Sequence, residues 1–375
     1  MRLITRTTES AQALELYVTA TPEQGSGKEA REMFAAVREV VEAVGARPCR
    51  ERVFVPTGRM EEYQEARRLA YEGRTEPVAT DWLWAGGEGA LGGLQVHAVS
   101  GPTDWEPLYR GDEIIGWSFK QNGCRWAMTG GLTAPQCGDG PAQTRALFKE
   151  GEDILASAGM DLTKVARTWI YMDRILGWYT PFNKVRNDLF IERGILKRGL
   201  GDCPRVPAST GMGVTPAFGG RIAMEFFAVD GPTADIKRYS GAGKQRSAYE
   251  YGSAFARASE ARTPAGRSVF VSGTAAIDPE GNTCHIGDAN KQIRMTIDCV
   301  QAVLRDASCS PDNVVQAMAY CKTPAVAEEF RKRFAAECPW PWVTVIGDVC
   351  RDDLLFEAEV TACEPQAEVC EVSQN

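Results

Sequence analysis

Two stretches of the chain carry the same hydrophobic pattern at an offset of 149 residues. In QTRALFKEGEDILASAGMDLTKV (143–165) and QIRMTIDCVQAVLRDASCSPDNV (292–314), apolar residues recur at helical spacing. A turn with a cap-like Asp or Ser then leads into a strand. The strands VARTWIYM, from Val165, and VVQAMAYC, from Val314, keep the offset, so Trp169 falls on Met318 and Tyr171 on Tyr320. Upstream of each helix stands a glycine-bearing strand, RWAMTGGLTA and SVFVSGTAAI. Downstream come a second helical stretch, PFNKVRNDLFIERG and AVAEEFRKRFAAE, and two closing strands. Each copy reads β-α-β-α-β-β, and a repeat of this length is the mark of one structural unit used more than once.

A fainter third copy opens the chain: the amphipathic SGKEAREMFAAVREVVEAVGA, the strand RERVFVPT and a second helix in RMEEYQEARRLAYEG follow in the same order. The alternative for this region is an unrelated α/β domain. Gly-, Pro- and Asp-rich stretches near 100–113 and 230–245 read as linkers. The expected division is therefore 1–112, 113–235 and 236–375: an α+β fold whose units form an intrachain pseudo-trimer.

The last closing strand breaks an apolar run with two acids. In LLFEAEV, alternation puts Glu357 and Glu359 on one face and Phe356, Ala358 and Val360 on the other. An edge strand with one wetted face would explain this blandly. A catalytic acid would explain it too. Cys350 stands seven residues before Glu357.

Composition narrows the class. With 375 residues, 44% hydrophobic and 25% charged, the chain can bury a large core, and its net charge of -8 argues against nucleic acid or an anionic membrane as partner. The opening residues lack the apolar block of a signal peptide, so a cytoplasmic location is the expectation. The twelve cysteines are scattered singly, and the two histidines, His97 and His285, are too few for a three-histidine metal site. No metal and no cofactor is expected. The glycines of GGEGALGG (86–93) lead into a strand rather than from strand to helix, which does not suit a dinucleotide site.

On VFVSGTAAID, a Gly-Asp before the helix, NVVQAMAYCKT and LLFEAEVTA, the C-terminal unit resembles the YjgF/Rid/UK114 superfamily, of chorismate mutase-like fold, over about 115 residues. The middle unit resembles it as well, with Asn183 of PFNKV on an asparagine found near that superfamily's clefts. The resemblance implies trimers with sites between subunits, which a single chain of three units imitates as a monomer. Its enamine/imine deaminases carry an arginine before the closing strands. Here Trp342 stands at that place in one unit, and Pro207-Ala208-Ser209-Thr210 in the other has no arginine between.

The blocks ARTWIYMDRILGWYTPFNKVRNDLF, RVPASTGMG, YGSAFARA, VSGTAAIDPEGNTCHIGD and DVCRDDLLFEAE, within 116–363, are similar to the chorismatases, also described as pteridine-dependent deoxygenase-like proteins. That resemblance implies cleavage of the enolpyruvyl ether of chorismate to pyruvate plus 3-hydroxybenzoate or a dihydroxy-cyclohexadiene acid. It puts the family's catalytic glutamate on Glu357, with Glu359 the runner-up. It puts Cys350 where the 3-hydroxybenzoate-forming branch has a cysteine. An acid working at neutral pH must be raised by apolar surroundings, for which Trp342 and the strand reaching Tyr171 are candidates.

The implied substrate is a small dicarboxylate, which arginine forks suit. Arg205 is the first choice, because the Pro-Ala-Ser209-Thr210-Gly211 after it reads as a tight turn exposing N–H groups and two hydroxyls. Arg167 and Arg257 are further candidates, and Tyr171 and Tyr179 are candidate phenol donors. A Rid-like deaminase, a small-metabolite binder and an inactive scaffold remain as alternatives.

Overall fold

The computed structural model describes residues 1–72, 78–87, 90–197 and 205–364, with the backbone of 368–373. The first unit runs β1 (Arg2–Glu9), β2 (Leu14–Thr21), α1 (Gly27–Ala43), β3 (Arg47–Val55), α2 (Met60–Tyr71), β4 (Thr80–Trp84) and β5 (Gly93–Ser100). The second runs β6 (Glu106–Arg110), β7 (Glu113–Gln121), β8 (Cys124–Thr129), the short β9 (Leu132–Thr133), α3 (Gly140–Ser157), β10 (Val165–Met172), α4 (Tyr179–Glu192), β11 (Ala208–Met212) and β12 (Ile222–Asp230). The third comprises β13 (Lys237–Tyr239), β14 (Ala258–Thr263), β15 (Gly266–Ala275), α5 (Ala289–Asp306), β16 (Val314–Cys321), α6 (Pro324–Glu329), β17 (Trp342–Ile346) and β18 (Phe356–Glu364). A last strand, β19 (Glu368–Ser373), follows.

The three sheets share one strand order. It is β6-β7-β8-β12-β10-β11 in the second unit (read from the opposite edge) and β13-β14-β15-β18-β16-β17 in the third. In the first it is β19-β1-β2-β5-β3-β4, so the strand that belongs at the first sheet's edge comes from the far end of the chain. Three pairs are parallel, β3 with β4, β10 with β11 and β16 with β17, and each is bridged by a crossover helix. The molecule is an α+β pseudo-trimer. A strand pair precedes the β-α-β-α-β-β pattern in the second and third units, whereas in the first only β1 does and β19 completes the sheet. Two boundaries also shift from the expectation: residues 106–110 pair with β7 in the second sheet, and 368–373 leave the third unit for the first. Neither segment carries an apolar alternation strong enough to reveal its partner.

Local signals set the helix starts. Ser26 and Glu29 form a reciprocal capping box at α1, Asp139 caps α3 ahead of a proline, and Asp288 caps α5. The helices cover one face of each sheet, giving three separate apolar layers. The opposite faces meet in a common core that includes Phe54, Leu83, Trp126, Trp169, Tyr171, Phe270, Tyr320 and Val343. Among the described residues no helix is long and apolar enough to cross a membrane.

Equivalent rungs of the ladders meet at the centre. Arg52 lies opposite Gln95, Trp169 opposite Glu225, and Met318 opposite Glu359. Arg50 pairs with Glu225, while Arg52 and Arg167 both pair with Glu359. Each of these ion pairs joins two units, and all five side chains are buried. Truncating one partner of such a pair strands a charge, a loss of about 3–5 kcal/mol.

Candidate active site

A cavity of about 600 Å³ opens between the second and third units. One wall is α4, which presents Tyr179, Asn183, Arg186 and Asn187 at helical spacing, with Ser209 and Gly211 of β11 beside it. The other wall comes from residues 249–257, the Gly273 end of β15, the loop carrying Cys350 and Arg351, and Glu357 of β18.

Backbone contacts across the unit boundary build these walls. The Ala256 N–H donates to the Pro207 carbonyl at 3.0 Å, Ser209 N–H to Ser272 Oγ at 2.9 Å, and Gly213 N–H to the Asp348 carbonyl at 2.8 Å. The last contact folds the loop after β17 over the cleft and carries Cys350 with it. Thr210 faces the opposite way from Ser209 and Gly211. Its Oγ1 accepts from the Gly273 N–H at 2.9 Å and from Arg167.

Glu357 is 5% exposed, lying opposite Tyr320 on one neighbouring strand and Ala275 on the other. A Cβ added at residue 273 would collide with Glu357 Oε1, so the glycine lets the carboxyl lie where it does. Burial, reinforced by Glu359, pushes this carboxyl up to about 8, against the weaker pull of Arg257 and Arg167. Glu359 behaves oppositely. Burial disfavours its charge, but Arg167 and Arg52 together hold it below the usual carboxylate range. At neutral pH one face of β18 therefore carries a protonated and an ionised carboxyl two residues apart.

Three guanidiniums surround the cavity. Arg257 donates through Nε to the Arg246 carbonyl at 3.0 Å and through Nη2 to the Tyr251 hydroxyl. Arg351 donates to the Gly281 carbonyl at 2.8 Å. Arg186 donates to Asn183 Oδ1 at 2.6 Å and lies over the Phe182 ring, but its Nε is buried without a hydrogen-bond partner. A buried donor of this kind is costly unless a bound acceptor satisfies it. The Cys350 thiol is pushed up to about 12 by burial and by Glu357, and the Tyr179 phenol to about 12 by burial and by Cys350. Both are neutral at physiological pH, so the thiol is no nucleophile.

Of the expected site residues, Glu357, Cys350, Ser209, Gly211 and Tyr179 line this cavity, as does Arg257. Four others lie elsewhere, and Thr210 stands behind the wall. Arg205 is exposed outside the cavity, because residues 208–212 form a strand paired with β10 rather than a tight turn. Arg167 is spent on Glu359 in the central core. Tyr171 accepts from Arg52 there at 2.8 Å. Trp342 packs against Phe330 and Trp340 in the third unit's helix-facing layer, its Nε1 donating to the Cys338 carbonyl at 2.8 Å. It neither encloses Glu357 nor plugs the cleft.

Arg186, Tyr251, Arg351 and Gly273 were not singled out from sequence. The Tyr179, Asn183, Arg186, Asn187 face of α4 is a signal that could have found Arg186. His97 is buried against Glu15 at 2.8 Å, and His285 is exposed on a turn. Among the described residues no group of three or more potential metal ligands comes together.

Against this geometry, residues 252–363 match the family model described as Endoribonuclease L-PSP. No curated protein matches the chain. Among solved structures, a crystal structure of chorismatase is 21% identical over 85% of this chain and 93% of that one, with a TM-score of 0.61. The chain has the chorismatase fold. Yeast Mmf1 is 19% identical over 35% of this chain and 99% of its own, with a TM-score of 0.30. The YjgF gene product of E. coli is 20% identical over 29% of this chain and 87% of its own, with a TM-score of 0.24. The third unit is the one that the family model matches, and its strand order recurs in the other two.

Proposed function

We propose that this protein cleaves the enolpyruvyl ether of chorismate, with Glu357 as the general acid. The observation that carries this reading is a buried carboxyl, raised to about 8, in a cavity that also holds three arginines. An enol ether breaks when its methylene carbon takes a proton. Glu357 supplies that proton at neutral pH, and an oxocarbenium ion forms at the adjacent carbon. Arg186 and Arg257, one from each unit, receive the two carboxylates of the substrate.

The cation is trapped in one of two ways. Water addition gives a hemiketal that collapses to pyruvate and a dihydroxy-cyclohexadiene acid. Attack by the neighbouring ring hydroxyl, followed by elimination and proton return to Glu357, gives pyruvate and 3-hydroxybenzoate, which together hold every atom of chorismate. Cys350, neutral and beside Glu357, excludes water from the cation and favours the second route.

Incubating the purified protein with chorismate, following pyruvate with a coupled assay and separating the aromatic products by chromatography, tests this. Stoichiometric pyruvate and 3-hydroxybenzoate are expected. Chorismate left intact would overturn it, and ammonia release from an imine substrate would instead favour the deaminase alternative.

A further inference from the structure

Glu359 is absent from the cavity lining, yet it shares a strand face with Glu357 and lies about 7 Å along the strand from it, two residues at the usual rise. Its oxygens accept from Arg52, Arg167 and the Tyr320 hydroxyl, and it is 3% exposed. Arg52 belongs to the first unit, Arg167 to the second, and Tyr320 and Glu359 to the third. Thr210 continues the chain of contacts outward, since the hydroxyl that receives Arg167 also receives the Gly273 N–H, and Gly273 is the residue against which the Glu357 carboxyl lies. A charge fixed by all three units therefore stands directly behind the candidate acid.

We propose that Glu359 is a positioning residue: its fixed negative charge makes Glu357 the proton-carrying carboxyl of the site, and Arg52 and Arg167 hold it in that state from the core. The inference rests on the reading of Glu357 as the acid. Two carboxylates on one buried strand face disfavour each other's ionisation, and the one with cationic partners keeps its charge. Glu359 has two arginines. The groups facing Glu357 from other elements are Tyr320 of β16, Arg167 of β10, Arg257 before β14, Tyr179 of α4 and Cys350 of the covering loop. The thiol and both phenols are neutral and do not discharge Glu357. Arg167 acts on both acids, favouring ionisation of each, but of the two it is hydrogen-bonded to Glu359 alone.

The test reads Glu357 directly and needs no substrate. Infrared difference spectra recorded through a pH titration follow the protonated-carboxyl band that Glu357→Gln removes. The wild-type midpoint is expected near 8. Glu359→Gln should lower it by about one pH unit or more, and Glu359→Asp, which keeps the charge, should restore most of the difference. If Glu359→Gln fails to fold, Arg52→Gln carries the test: it weakens the hold on the Glu359 charge from the first unit and should lower the midpoint in the same direction. A midpoint unchanged or raised in whichever of the two variants folds overturns the proposal. Titration as described in a protein that leaves chorismate intact would reject the reaction while leaving the role of Glu359 standing.

Discussion

The carboxyl of Glu357 occupies the space where residue 273 would carry its side chain: Oε1 stands 2.0 Å from that missing Cβ. Thr210 Cγ2 would also come within 3.0 Å of the added carbon, and the Gly273 N–H is already bonded to Thr210 Oγ1. The wall behind Glu357 cannot retreat without breaking that bond. Gly273→Ala should therefore displace the carboxyl toward the cavity. We expect kcat/KM for chorismate to fall by about 10²-fold, the scale of a misplaced catalytic group, with the far-ultraviolet circular dichroism unchanged. Normal turnover in this variant would mean that the seat on Gly273 has no part in catalysis.

Glu357→Gln keeps the shape of the side chain and removes the donor. Turnover should drop by about 10²–10⁴-fold, with thermal stability at neutral pH little changed, because a neutral amide replaces a neutral acid. The pH dependence follows from the same group. The acid form is required, so wild-type activity should decline as pH rises through about 8. Stability has the same sign. The folded carboxyl binds its proton up to about 8 whereas a free glutamate gives it up near 4.5, so the folded state is progressively disfavoured between those limits as pH rises. The glutamine variant should lose that slope in a series of melting curves, and retention of the slope would point to another group.

The repeat was legible because its apolar periodicity survives in two units. Trp169 and Met318, matched by the offset, do sit opposite Glu225 and Glu359, and Tyr171 and Tyr320 occupy the next inward rung. In the first unit the equivalent of Trp169 is Arg52, a polar residue at a core rung, and this is why that copy looked faint. Alternation along β18 identified two acids on one face. It could not say which was neutral, since the arginines that decide this lie 307 and 192 residues away in sequence. Arg205 misled for the opposite reason. A Pro-Ala-Ser-Thr-Gly stretch reads as a turn, and a parallel partner strand 41 residues upstream, through Thr168 and Ser209, overrides it.

Arg186 carries a buried Nε that no protein group satisfies, and it faces the cavity from α4. A substrate carboxylate fits that donor. Arg186→Leu should raise KM for chorismate by about 10–100-fold, the usual range for a lost hydrogen bond to a charged group, while kcat changes less. Arg186→Lys should recover only part of the loss, because an ammonium cannot offer the two parallel donors of a guanidinium. Steady-state kinetics on both variants, with melting temperatures as the control for folding, decides it. Equal KM values across the series would assign the unpaired Nε to something other than substrate.

Cys350 gives the prediction that separates cavity shape from proton supply. Its thiol is held near 12 and bears no charge at the pH of turnover, so truncating it removes volume and leaves Glu357 its proton. Cys350→Ala should release pyruvate at a rate within about an order of magnitude of wild type, in contrast to the larger loss typical of a missing general acid. The space left beside Glu357 is polar enough to admit water, with Arg257 on its own wall of the cavity and Ser209 on the facing one. Water then competes with the ring hydroxyl for the cation. The product should move from 3-hydroxybenzoate toward the dihydroxy-cyclohexadiene acid, by a route that leaves one solvent oxygen in the pyruvate and none in the ring acid. Chromatography gives the ratio, and a ratio unchanged from wild type would return Cys350 to the standing of an inert buried thiol.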